Sequence, residues 1–331
     1  MLTRAEIKGF KCLHDVSVEL GPFNVLIGPN DSGKSSFLQA LGEVQKLGVS
    51  ETRMDQMRGN ASVRLWTADS DAYVGLDLTK WTVRLNGQDT SWPVQHNGPT
   101  SEPAFMCVSE PLMLESTEIA ALSPRGSGAL PILIQSRGRG ATAHLARVAL
   151  GDRERYEAIQ KGMRDITSGR IREVIVSEDT GQGCPLTFRL YDDKVIPAAD
   201  VSQGLLVYFA FLTIVHRDDA PAVLLIEEPE NGIHPLRLYE VITLLRTLTE
   251  RGVQIIMTTH SPDLLNACKP EEVLIFRRPK PDSGTEIHRL PADFERRAMR
   301  STMGEIWASS GEEGLLDIFP TVEPLVRAEA G

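Results

Sequence analysis

The chain has only four cysteines, Cys12, Cys107, Cys184 and Cys268, and no two of them form a C-x-x-C pair. That scatter argues against a disulfide framework or a thiolate zinc site, and it fits reduced thiols in a cytoplasmic protein. Long hydrophobic runs are also missing. The greasiest stretch, Leu205 to Val215, is interrupted by Tyr208 and Thr213 and is too short to span a bilayer. It reads as a buried helix, and no membrane partner is expected. The first residues carry Arg4, Glu6 and Lys8 where a secretory leader would be apolar. No heptad run, internal repeat or low-complexity tail occurs, so long coiled-coil arms are excluded. Positive charge is in deficit: 35 Lys and Arg stand against 45 Asp and Glu, for a net charge of −10. Such a chain does not coat nucleic acid through its overall field, although a local basic groove is still allowed.

The composition is otherwise that of a globular protein, with 331 residues, 41% apolar and 24% charged. It can form one large α/β domain with insertions. The start alternates as sheet does, through Ile7, Phe10, Val16, Val18 and Leu20, and Gly21-Pro22 then makes a turn. Phe23 to Ile27 is a short apolar strand. Phe37, Leu41 and Val44 follow at helical spacing, and that helix is expected to stop near Gly48. Residues 61–108 read as short antiparallel strands, with Asn86-Gly87 as a hairpin turn and a loop from Pro93 to Pro103. Three of the four tryptophans fall in this stretch, which fits an antiparallel subdomain. Residues 136–172 hold nine basic residues (Arg137, Arg139, Arg147, Arg153, Arg155, Lys161, Arg164, Arg170 and Arg172) against four acids. That excess is either a solvated helical face, the commoner case, or a surface for DNA or an acidic partner. From residue 220 the pattern is parallel α/β. Strands are expected at 223–226, 253–257 and 273–276, and a helix opened by Pro235 places Leu238, Val241, Leu245 and Leu248 on one face.

Four separated segments carry chemistry. Gly28-Pro29-Asn30-Asp31-Ser32-Gly33-Lys34-Ser35 fits G-x-x-x-x-G-K-[ST] and lies between a strand and a helix. In that context backbone N–H groups surround phosphates, Lys34 bridges the β- and γ-phosphates, and the Ser35 hydroxyl takes a Mg²⁺ position. Val223-Leu224-Leu225-Ile226-Glu227-Glu228 is an apolar strand ending in two carboxylates. Adjacent side chains on a strand diverge, so the two cannot share a role. Glu227 is expected in the Mg²⁺ shell and Glu228 as the base that orients and deprotonates water. His260, after Thr258-Thr259, suits a sensor of the γ-phosphate one strand further on. Val201-Ser202-Gln203-Gly204 precedes a helix whose N-terminal amides can receive a phosphate, through Ser202 and Gly204. Taken together the segments specify ATP hydrolysis with Mg²⁺. The catalytic residues are expected to be Lys34, Glu228 and His260, with Gly28 to Ser36 cradling the nucleotide.

The set resembles the ABC-type ATPase heads of the RecF, SMC and OLD group, and within it the compact "AAA family ATPase" branch often found in phage-defence operons. The resemblance rests on Ile7-Lys8-Gly9-Phe10-Lys11, the Asn30 loop, Glu227-Glu228-Pro229-Glu230-Asn231-Gly232-Ile233-His234-Pro235 and Thr258-Thr259-His260-Ser261-Pro262. It covers residues 1–47 and 200–276. Two positions depart from the pattern. Asp31 puts an acid where a small residue is usual, and the signature Val201-Ser202-Gln203-Gly204 is degenerate beside the L-S-G-G-Q ideal. The resemblance implies a P-loop ABC-ATPase head with a parallel core sheet, an antiparallel β subdomain and a helical insertion. As one head, its N-terminal lobe would run to about residue 110, an insert over about 111–200 and a C-terminal lobe over about 201–331. It further implies an ATP-dependent head-to-head homodimer, each ATP lying between the P-loop of one chain and the signature of the other, with Asn231 to His234 facing across. Gln135 and Gln160 are candidates for the glutamine that contacts Mg²⁺ in such heads.

The branch implies a switch coupled to a separate effector such as a nuclease, encoded nearby, or to DNA in defence or repair. With 71 residues after His260, an OLD-type nuclease domain has no room in this chain. Two other readings stand beside it. A transporter's nucleotide-binding subunit would show a fuller signature and a D-E-P-T-type strand end, which Glu-Glu-Pro-Glu-Asn-Gly-Ile-His-Pro is not. A non-hydrolysing scaffold would not need both Lys34 and Glu228.

Overall fold

The computed structural model describes residues 1–45, 57–67, 73–77, 80–85, 88–93, 109, 111–120, 136–177, 185–217, 220–280, 282–298 and 301–318. The chain divides into two compact units, neither of them contiguous. One holds Met1–Pro111, Pro221–Glu228 and Thr249–Gly331; the other holds Leu112–Ala220 and Pro229–Leu248.

The first unit is built on two sheets. Strands β1 (Leu2–Phe10), β2 (Leu13–Glu19), β4 (Met57–Thr67), β5 (Tyr73–Asp77), β6 (Lys80–Leu85) and β7 (Gln88–Pro93) form an antiparallel sheet in the order β2-β1-β4-β5-β6-β7. The second sheet contains β3 (Phe23–Ile27), β11 (Val223–Glu227), β12 (Gln254–Thr258), β13 (Val273–Arg277) and β14 (Glu286–Arg289), in the order β11-β12-β3-β13-β14. Its first four strands run parallel, and β14 closes the edge antiparallel to β13.

The two sheets differ in pattern for a physical reason. β3, β11 and β12 are buried at every position, as befits parallel strands covered on both faces. In β1, Ala5 and Ile7 point inward while Arg4 and Lys8 are exposed. Helix α1 (Lys34–Gln45) packs on β11 and β12 of one sheet and on β1 and β4 of the other. Its Phe37, Leu38 and Leu41 join Ile7, Val16, Leu225, Ile256 and Phe276 in one core, with the Phe37 and Phe276 rings edge to face at 5.5 Å. The strands expected at 61–85 are present. The Asn86-Gly87 turn, the helix stop near Gly48 and the loop from 94 to 103 lie outside the described residues.

A buried amide ties the first strand down. Gln254, 1% exposed, accepts from Leu2 N at 2.8 Å and donates to Leu2 O at 2.8 Å and Gly21 O at 2.7 Å. Replacing it strands three backbone groups. Gln254→Ala is expected to lower stability by about 3 kcal/mol, read as a lower urea midpoint with an unchanged m-value, and Gln254→Leu should restore little of it.

The second unit holds helices α2 (Ser116–Ala120), α3 (Ala141–Gly151), α4 (Arg153–Ile166), α5 (Gln203–Val215) and α6 (Leu238–Glu250), the last turn of which returns to the first unit. It also contains a three-stranded antiparallel sheet, β10 (Val195–Pro197), β9 (Leu186–Leu190) and β8 (Ile171–Val176), that the sequence pattern did not suggest. Residues Leu206 to Val215 of α5 are buried on every side, as a helix apolar all round must be. α4 approaches it closely at Gly162, where a Cβ would lie 2.6 Å from Leu212 Cδ2.

Among the nine basic residues over 136–172, at least five are ion-paired: Arg137 with Glu115, Arg139 with Glu118, Arg155 with Asp152, Arg164 with Glu157 and Arg172 with Asp193. The pairing favours a solvated helical surface over a cationic groove. Gln160 does not serve as a metal ligand, because both ends of its amide are taken by the backbone of Val174, at 2.7 and 2.8 Å. Gln135 lies outside the described residues. No helix among the described residues is long and apolar enough to cross a membrane.

Candidate functional site

Strand β3 delivers the chain into the loop 28–33, and α1 begins at Lys34. The loop's glycines are obligatory. Gly28 has φ +152, and a Cβ there would sit 2.1 Å from Phe276 O. Gly33 has φ +105, and its Cβ would meet Thr285 Oγ1 at 2.5 Å. Asp31 also takes the left-handed conformation, at φ 64. Its carboxylate turns outward and pairs with Arg278 at 2.9 Å, so the acid that departs from the usual pattern is neutralised. Thr285 donates its hydroxyl to Ser32 O at 2.9 Å. Both supports come from the segment joining β13 to β14, which no motif marks.

Lys34 is 6% exposed, and its Nζ donates to Gly28 O at 2.8 Å and Pro29 O at 2.9 Å. Burial pulls the ammonium down to about 8, opposed by the nearby carboxylates of Glu228 and Glu312. A cation so desolvated gains from any anion brought beside it.

Glu227 ends β11 with its carboxyl buried. Burial raises its pKa and Glu228 adds to the shift, while Lys11 and a hydrogen bond with Ser35 oppose it. The two residues expected at Mg²⁺, Ser35 and Glu227, are therefore in direct contact. Glu228 stands at φ 46, its N–H donating to Thr258 O at 3.1 Å and Thr258 Oγ1 at 3.3 Å. That twist separates its side chain from the one before. Glu228 is 37% exposed, and its Oε1 lies 3.6 Å from His260 Nε2. Beyond His260, helix α7 (Pro262–Asn266) is capped by Ser261, which accepts from Leu264 N at 3.2 Å. After β13 and β14 come the single turn α8 (Phe294–Arg297) and the 15-residue helix α9 (Met303–Asp317). Lys11, Arg278, Thr285 and Glu312 are the neighbours that motif reasoning missed. Only Lys11 falls within a recognised segment, Ile7 to Lys11.

The residues fit a magnesium nucleotide. Two glycines admit no side chain, a buried cation faces the loop, and the buried Ser32 Oγ and Glu227 Oε1 find no partner among the described residues. No group of three or more His, Cys, Asp or Glu among the described residues could hold a metal unaided. Mg²⁺ here would depend on one carboxylate, one hydroxyl and the nucleotide's own oxygens, the usual Mg²⁺ pattern.

Ser202 and Gly204 belong to the second unit, the phosphate loop to the first. Ser202 is exposed at the start of α5, and its hydroxyl makes no capping bond. A Cβ on Gly204 would lie 2.4 Å from Gly232 O, so the signature packs backbone to backbone on the segment Asn231–His234. The same unit has a cavity of about 640 Å³ between Arg170, Ser202, Gly204, Tyr208, His234 and Arg237.

The architecture is the fold of a P-loop ABC-type ATPase head. Residues 1–56 match the family model described as "AAA ATPase domain", and residues 164–266 match "AAA domain, putative AbiEii toxin, Type IV TA system". A segment of 41 residues is 44% identical to an "OLD nuclease" of Thermus scotoductus (strain ATCC 700910 / SA-01). That segment is 12% of this chain and spans only 8% of the curated relative. Among solved structures, an SMC head bound to the C-winged helix domain of ScpA superposes with TM-score 0.60 at 15% identity, covering 88% of this chain and 98% of that one. An SMC head with an extended coiled coil, bound to the C-terminal domain of ScpA derived from Pyrococcus furiosus, gives TM-score 0.59 at 14% identity, covering 90% and 98%. At such identity the fold is what is shared. The resemblance to ABC-type ATPases of the RecF/SMC/OLD-like group, read first from the motifs, is thus supported by the matched segments and by the architecture.

Proposed function

We infer that the protein hydrolyses ATP with Mg²⁺ and uses the cycle as a dimerisation switch in the cytoplasm, coupled to a separate effector protein. The observation that carries hydrolysis is the arrangement at the end of β11. Glu227 contacts Ser35 beside the phosphate loop, and Glu228, held at φ 46, stands 3.6 Å from His260. Glu227 and Ser35 would hold Mg²⁺, which polarises the terminal phosphate. Glu228 accepts the proton of the attacking water, and His260 positions that water or the γ-phosphate.

The switch rests on Ser202, Gly204 and the amides that open α5. They offer donors for a terminal phosphate from the exposed start of a helix, next to Asn231–His234. Supplied by a second copy related by a two-fold axis, they close the site. The relatives' SMC heads bind partner proteins, which supports a protein effector over DNA, as does the pairing of the basic stretch. Mixing inactive Lys34→Ala chains with inactive Ser202→Arg chains tests the composite site. Half the dimers then carry one intact site, so activity should return to about a quarter of wild type. Confirmed heterodimers that stay inactive would remove the composite site.

A further inference from the structure

The cavity of the second unit lies between the end of α4, the three-stranded sheet and the start of α5. Every residue that lines it belongs to that unit, so the phosphate loop contributes nothing to it. At about 640 Å³ it has the size of a small-molecule site. Part of its wall is apolar: Ile166 ends α4, Ile171 begins β8, and Leu190 and Ile196 come from β9 and β10. Tyr208 lines it from the second turn of α5. That residue is 7% exposed, yet its hydroxyl makes no hydrogen bond among the described residues. Buried polar groups in native proteins are paired, so this hydroxyl calls for a partner from outside the chain. Burial pushes the phenol up to about 12, with Glu240 and Asp165 adding to the shift and Arg237 opposing it, so the hydroxyl stays protonated and can donate.

The other polar groups are mostly donors as well. Arg170 is exposed and makes no ion pair among the described residues, whereas Arg237 is held by Glu240 at 3.0 Å. His234 Nδ1 accepts from Leu236 N at 3.3 Å, which leaves the proton of the neutral ring on Nε2. Asp200 is the only carboxylate among the lining residues. An excess of donors beside an apolar wall selects an oxygen-rich acid on an apolar body. We propose that the cavity binds a small organic monoanion, an aromatic or acyl body with an acid group for Arg170 and a further oxygen that accepts from the Tyr208 hydroxyl. Ser202 and His234 also line the cavity, so an occupant and a second head compete for one face. That consequence rests on the proposed switch; the binding itself does not.

Dansylglycine is a suitable probe, because it joins a naphthalene body to sulfonyl oxygens and a carboxylate and brightens when buried. Titrated into the full chain without nucleotide, it is expected to fill one saturable site per chain. Arg170→Glu should weaken it about tenfold or more, since a charge-assisted bond turns into repulsion. Tyr208→Phe should weaken it about three- to tenfold, the worth of one hydrogen bond. The thermal midpoint of Tyr208→Phe should not fall, because the hydroxyl it removes is unpaired within the chain, whereas a merely structural tyrosine would lower it. Arg153→Glu, the same charge change at an exposed residue that does not line the cavity, should bind the probe as wild type does. So should Lys34→Ala, whatever its effect on ATP. Absence of a single saturable site, or a site indifferent to either cavity substitution, overturns the proposal. Equal weakening by Arg153→Glu or by Lys34→Ala does so too, since the probe then lies elsewhere.

Discussion

Glu228→Gln is expected to bind ATP as tightly as wild type and to turn it over about 10²- to 10⁴-fold more slowly, the usual contribution of a positioned general base. The amide keeps the shape of the carboxylate and its distance from His260, yet it cannot accept a proton from water. Glu227→Gln must fail differently. That side chain is buried against Ser35, so its loss should weaken Mg²⁺ dependence and displace the metal rather than spare binding. Phosphate release and nucleotide affinity, each measured across a Mg²⁺ titration, separate the two. Near-normal turnover in Glu228→Gln would place the base elsewhere.

Lys34→Ala is expected to abolish detectable ATP binding. The loop loses its one buried cation, and the Gly28 and Pro29 carbonyls that it engages are left facing the phosphate path. The wild-type protein should also show a pH signature. Burial holds the ammonium at about 8, and bound phosphate favours the charged form, so the pKa rises on binding. Below pH 8 the lysine is charged with or without ATP, and affinity is flat. Above pH 8 binding must take up a proton, and affinity falls by about tenfold per pH unit until the pKa of the complex is reached. Calorimetry in buffers of different ionisation heat reads that proton uptake directly. No uptake at pH 9 would mean Lys34 is not the group meeting the phosphates.

The parts of the fold legible from sequence were those whose pattern is local. β3, β11 and β12 are unbroken apolar runs because both faces are covered, and each is followed at once by a chemical residue. The loop could be read because only glycine fits where Phe276 O and Thr285 Oγ1 approach. What escaped notice is set by distant pairing. β8, β9 and β10 are only six, five and three residues long, too short for an alternation to stand out from the surrounding helical pattern. Arg278, Thr285 and Glu312 reach the site from chain more than 240 residues beyond the loop, with nothing local to distinguish them. Gln160 shows the converse. A lone glutamine resembled a metal ligand until both of its polar ends were found on the Val174 backbone.

Of the four points where the chain passes between the two units, one falls between Glu228 and Pro229. Glu228 is thus the last residue of one stretch of the first unit, and its own carbonyl is bonded to the first residue of a stretch of the second. Proline removes a donor and fixes φ just after the junction, and Glu228 already stands in a backbone conformation unusual for a residue before proline. No residue separates Glu228 from that crossing. A flexible Gly-Ser spacer inserted after Glu228 is expected to leave nucleotide bound while slowing hydrolysis, read as unchanged ATP affinity with reduced phosphate release.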